Sequence, residues 1–191
     1  MNIKNKKISY IAEINLKSKS AYKQQVLKMC DAFSQKGFAV TLYVINSNNL
    51  SFNELKKKYL LKSKFKIKKI FNKFDKLNFL LRIIFSIKLL LILKNKSELI
   101  FSRSILLSII LSINNIKSVL EVHQPLSGLT NILFIFYKKK ILLNTKFILI
   151  NKNINKYLNL KKKFYIVADD GVDLKDFNIK NKIKYKKSCV Y

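Results

Sequence analysis

A chain of 191 residues with a formal charge of +29, three glycines, one proline and two cysteines has the size of a single ordinary domain. That length buries roughly 70% of the unfolded surface, so no staple is needed, and Cys30 and Cys189 are too far apart in sequence to suggest a disulfide framework. No Cys/His cluster has metal-ligand spacing, which excludes structural zinc and points to a reduced, cytoplasmic protein with no metal.

Of the 39 basic residues only Arg82 and Arg103 are arginine. Nucleic-acid sites lean on arginine for bidentate contacts, so this lysine-borne charge argues for solvated faces and against a nucleic-acid site. Its physical consequence is attraction to anionic lipid surfaces.

The N-terminal "KISYIAE" (7–13) has the apolar run of a buried strand, too short for a signal peptide core. In "SAYKQQVLKMCDAFSQKG", Tyr22, Val26, Met29, Cys30 and Phe33 recur at helical spacing, with Ser20 as N-cap and Gly37 at the C-terminal end. "FAVTLYVIN" (38–46) is β-branched and aromatic, as a strand is. Strand, helix, strand makes a βαβ unit with parallel strands and a right-handed crossover.

Residues 53–78 carry ten lysines against Glu54 and Asp75. "NELKKKYLLK" suits a short helix, and "KFKIK" (64–68) alternates like an edge strand guarded by lysine. This Lys-rich stretch (56–76) and the apolar helix after it read either as a surface that holds the domain at an anionic membrane or as a solvated lysine face. "FLLRIIFSIKLLLIL" (79–93) is interrupted by Arg82 and Lys88 and falls short of the roughly 20 apolar residues of a membrane span, so it reads as a half-buried helix near 77–95.

From there the pattern keeps alternating. Strands are expected at 98–103, 117–123, 146–151 and 164–168, with helices at 104–114, 128–143 and 154–161. The fold class is therefore α/β: an open, mostly parallel, Rossmann-like doubly wound sheet with helices on both faces. Ligands of such sheets bind outside the carboxyl ends of the strands. Glu13, Arg103 and His123 fall there, and Asp169 and Asp170 follow the last strand.

No G-x-G-x-x-G, G-x-x-x-x-G-K-[ST] or G-x-S-x-G occurs, which weakens the dinucleotide, P-loop and hydrolase readings. A lone histidine at a strand end, taken alone, reads as structural.

The order of the pieces says more. "CDAFSQKGFAVTL" (30–42), "LIFSRS" (99–104), "VLEVHQP" (119–125), "FILINKNINKYL" (147–158) and "IVADDGVDLKDF" (166–177) together resemble the N-terminal half of GT-B fold glycosyltransferases of the family 4 type. The resemblance runs from about residue 7 to 191. It implies a Rossmann-like acceptor-side domain over 1–180, with 181–191 as linker and start of a C-terminal donor domain that is missing here. It implies retaining sugar transfer from a nucleotide-sugar, bound as substrate rather than cofactor, to a glycan or lipid-linked acceptor. A truncated chain of this kind is expected to be inactive alone, and a separate C-terminal donor domain would complete it.

The resemblance places His123 in the Glu-x-His motif, facing the cleft near the sugar as the candidate catalytic residue. Glu121 shares its strand face and is either a site residue or the ion-pair partner of Arg103 or a lysine. Arg103 contacts an anionic acceptor or diphosphate, or serves that ion pair. Ser20, at a helix N-terminus, is a candidate phosphate contact, although the loop before it lacks the glycine many family members have. Asp170 and Gly171 fit the interdomain turn. The expected location is cytoplasmic, peripheral at the inner face of the membrane. The alternative function is a non-enzymatic basic module binding nucleic acid or an anionic membrane surface.

Overall fold

The structure, a computed structural model, describes residues 6–17, 20–46, 51–72, 78–96 and 99–168. The expected domain end at 180, the segment 181–191, and Asp169, Asp170 and Gly171 lie outside the described residues.

Among the described residues seven strands and six helices alternate: β1 (Lys7–Ile11), α1 (Ala21–Gln35), β2 (Ala39–Val44), α2 (Phe52–Lys58), β3 (Lys66–Lys69), α3 (Phe79–Leu93), β4 (Leu99–Ser102), α4 (Ile105–Ile113), β5 (Ser118–Val122), α5 (Gly128–Asn144), β6 (Thr145–Leu149), α6 (Ile154–Leu158) and β7 (Tyr165–Val167). They form one sheet in the order β3-β2-β1-β4-β5-β6-β7. Every pairing is parallel, so the sheet is wholly rather than mostly parallel. This is a Rossmann-like doubly wound sheet. The chain travels outward from β1 through β2 to β3, then returns to place β4 on the other side of β1. The reversal between β1 and β4 is the point at which such sheets open a crevice.

Local chemistry explains the helix starts. Ser20 Oγ accepts the Lys23 N–H at 3.3 Å. Ser51 and Glu54 form a reciprocal capping box at α2. Asn78 and Ser104 cap α3 and α4 through their side-chain oxygens. Gly37, with φ +89°, ends the first helical unit in the left-handed region that glycine occupies without cost.

The two faces of the sheet are packed separately. On one, α1 and α2 cover Ile8, Tyr10, Val40, Leu42 and Phe101. On the other, α3 and α4 cover Ile11, Tyr43 and Ile100, and α4 and α5 meet Leu120, Phe147 and Leu149. The period of two along each strand produces this division: Ile100 faces one layer, Phe101 the opposite one. The "ILLSIILSI" run becomes α4, buried along most of its length, with Ile113 exposed at its end.

The Lys-rich stretch gives α2 and the edge strand β3, which begins two residues later than its sequence suggests. Its loop is held from below by Asp31 of α1. That buried carboxylate accepts the N–H of Lys62 at 3.0 and 3.1 Å and of Ser63 at 2.6 Å.

Candidate functional site: a cleft at the strand ends

At the reversal point the Arg103 N–H still bonds the Ile11 carbonyl at 3.0 Å, so β1 and β4 part with their next residues side by side. Glu13 leaves β1, Arg103 and Ser104 leave β4, and Glu121 and His123 come from the end of β5. Glu13, Arg103, Glu121 and His123, with Arg82 from the first turn of α3 and Tyr22 from α1, surround a cleft of about 450 Å³.

Glu121 is its centre. Arg103 grips both carboxylate oxygens, Nη2 to Oε1 at 2.7 Å and Nε to Oε2 at 3.1 Å. The Tyr10 hydroxyl donates to Oε2 at 3.2 Å. His123 Nε2 lies 2.7 Å from Oε1 and also touches Arg103 Nη2. The one ring nitrogen can donate to Glu121 when protonated or accept from Arg103 when bare, but not both. The Arg103 guanidinium stacks 4.8 Å from the Tyr22 ring centre, and that ring meets His123 edge-on at 6.2 Å.

Burial grades outward through this trio. The side chains of Arg103 and Glu121 are 2% and 4% exposed, while that of His123 is 20% exposed. Burial pushes the Glu121 carboxyl up. Hydrogen bonds from His123 and Arg103, and the charge of Arg103, outweigh it and hold the group at about 2. Tyr22 is pushed up to about 12, first by burial, against the opposing pull of Arg103. Arg103 Nη1 is buried and makes no hydrogen bond among the described residues.

A second ion pair lies across the cleft. Arg82 Nε donates to Glu13 Oε2 at 2.7 Å. The other Glu13 oxygen accepts from Ser104 Oγ, the hydroxyl that also caps α4. Both arginines of the chain thus reach the same cleft, each fixed by a glutamate.

The structure brings together His123, Glu121 and Arg103, and the Arg103–Glu121 ion pair that the sequence left as one of two options is formed. It does not bring Ser20 to them: Ser20 is the exposed N-cap of α1 and is not among the residues lining the cleft. Glu13 was placed at this edge by the sequence but given no role there. Arg82, Ser104, Tyr22 and Tyr10 were not candidates from sequence. Arg82 carried a signal, being half of all the arginine in the chain and set in an otherwise apolar helix. Tyr22 carried none, since its spacing is that of the core face of α1.

Among the described residues no group of three His, Cys, Asp or Glu side chains could hold a metal. A larger groove of about 740 Å³ at the β2–β3 edge is lined by Lys7, Lys64, Lys66, Lys68 and Lys96 and by no carboxylate, which gives it charge but no acid–base pair. The class defined by fold and site is a doubly wound α/β protein with a polar cleft at its switch point. No protein-family model matches the chain, and no curated protein matches it in sequence.

Proposed function

We propose that the chain is the acceptor-side domain of a GT-B, family 4-type glycosyltransferase, acting in retaining sugar transfer from a nucleotide-sugar to a glycan or lipid-linked acceptor. The observation that carries this reading is the Glu-x-His strand end in the switch-point cleft, with His123 as the solvent-reaching member of a trio otherwise buried. In this reading His123 hydrogen-bonds a sugar or acceptor hydroxyl. Glu121 is a positioning residue that fixes the imidazole, and Arg103 fixes Glu121. Tyr22 supplies the flat apolar wall on which sugar rings rest. The nucleotide-sugar is met chiefly by a donor-side domain, so the residues described here bind acceptor and do not turn over alone. The domain works at an anionic membrane surface on the cytoplasmic side, where its charge holds it.

The test is ligand-observed NMR on the purified chain with a panel of glycans, isoprenoid-phosphate-linked sugars and nucleotide-sugars. Acceptor-type ligands should give transfer signals that His123→Ala abolishes, and transfer activity should emerge only when a donor-side domain is supplied. No glycan signal at all would overturn the reading. Tight, salt-sensitive RNA or DNA binding that survives competition by unrelated polyanions would replace it with the basic binding module.

A further inference from the structure

Three neighbouring helices of this protein carry no carboxylate. Neither Asp nor Glu occurs in α3, α4 or α5. α4 packs against both of the others and is itself buried between them. α5 turns Phe134 and Ile141 into the core. On its other side Leu129, Ile132, Ile135, Phe136 and Leu143 stand exposed, Phe136 by 78% and Leu143 by 76%. A helical repeat of 3.6 residues sets these five on one face, with the exposed Lys139 and Lys140 among them. α3 repeats the arrangement. Leu80, Ile84, Ile87 and Leu91 are exposed at spacings of four, three and four, and Lys88 and Lys94 are exposed beside them.

An apolar surface of this extent marks a contact rather than a water-facing wall. Charge decides which contact. Two copies of a +29 chain meeting through faces that hold lysine and no carboxylate would repel. Anionic headgroups would attract the same lysines while the aliphatic rows enter the acyl boundary. The 17 residues of α5 include three lysines, and among the described residues no helix is long and apolar enough to cross a membrane. The fitting geometry is a helix lying in the membrane plane.

We infer that the exposed face of α3 and α5 is the surface by which this protein docks on an anionic lipid bilayer. The inference rests on the membrane part of the proposed function and needs none of its sugar chemistry. Of the contact expected from sequence it keeps the apolar helix, α3, and leaves out the Lys-rich stretch 56–76 before it, whose helix α2 packs in the opposite layer. It also places the cleft: Ser127 and Thr130, at the start of α5, line it, so a docked α5 begins at the cleft mouth. A lipid-linked acceptor would then reach His123 without leaving the membrane surface.

The chain has no tryptophan, so one substitution makes a unique reporter. Phe136→Trp on α5 is compared with Ala32→Trp, an exposed position of α1 in the opposite layer. Each is mixed with vesicles of phosphatidylglycerol and phosphatidylcholine in equal parts, with and without brominated chains. The expected result is a blue shift and bromine quenching for Phe136→Trp and neither for Ala32→Trp. Ile132→Ser with Phe136→Ser in the full chain should weaken vesicle binding by about tenfold or more, with an unchanged circular dichroism spectrum. Binding without insertion at position 136 overturns the docking face and leaves attraction by charge alone. No binding to these vesicles overturns both the face and the membrane part of the proposed function. A blue shift at position 136 that grows with protein concentration before vesicles are added overturns the proposal in favour of a second copy.

Discussion

At Glu121 the hydrogen bonds from His123 and Arg103 win against burial, and the consequence is measurable as a dependence of folding on pH. The carboxyl sits at about 2 against an ordinary 4.5. Its stabilising contribution is therefore complete above pH 4.5 and is lost as pH falls from there through 2; it amounts to roughly 3 kcal/mol. Urea titrations across that window should show the loss, and Glu121→Gln should flatten it. The same variant at neutral pH leaves Arg103 buried without a counter-charge and should cost about 3–5 kcal/mol by denaturant melting. His123→Ala removes a side chain at the rim, which should cost no more than about 1 kcal/mol while abolishing acceptor binding. The contrast separates the residue that holds the site together from the residue that would meet a ligand. Arg103→Lys keeps the charge and loses the two-pronged grip on Glu121; His123 should then lose its fixed orientation, visible as changed imidazole chemical shifts by NMR.

Among the elements, the connection from α2 to β3 depends on one side chain. Asp31 accepts three contacts from the Lys62 and Ser63 amides, so Asp31→Ala removes the charged acceptor that both amides share and should destabilise the protein by about 1–3 kcal/mol. Hydrogen exchange should locate the damage at residues 61–69 before the rest of the sheet opens. Nothing local in "CDAFSQ" announces this role, because the partners lie 31 and 32 residues away. The alternation of strands and helices, by contrast, was legible throughout. Its signals are local: short β-branched runs, Ser and Asn caps, Gly37 at φ +89°. The carboxyl-end position of Arg103, Glu121 and His123 followed from fold class alone. The convergence of Arg82 and Glu13 did not, since it requires the first turn of α3 to lean over the end of β1, a matter of packing between elements. The half-buried character of α3 was legible, but the outward apolar row of α5 was hidden. An apolar helix between two strands reads as core, and only the packing shows which of its faces is left over.

The whole molecule carries 39 basic and 10 acidic residues, and the two carboxylates described at the cleft are both tied to arginine. Net repulsion among the lysines opposes the compact state, and added salt screens it over about 10 Å at 0.1 M. The melting temperature should therefore rise with moderate sodium chloride, by several degrees, where a neutral protein of this size would show little change. A fall would mean that the ion pairs of the cleft, not the lysine field, dominate the salt response.

The central β1–β4 pair also governs how the protein comes into being. Ile8 lies beside Leu99, so the middle of the sheet joins segments separated by nearly half the chain. During synthesis β1, β2 and β3 can assemble while β4 is still unmade, and the growing unit then presents the bare backbone edge of β1, flanked by apolar side chains on both faces. The lysines of β3 protect the finished border and do nothing for this temporary one. Glu13 waits for Ser104, and Tyr10 for Glu121, so the cleft cannot close before β4 and then β5 have been made. A nascent chain stalled near residue 72 should recruit chaperones strongly, and release from them should coincide with the emergence of β5.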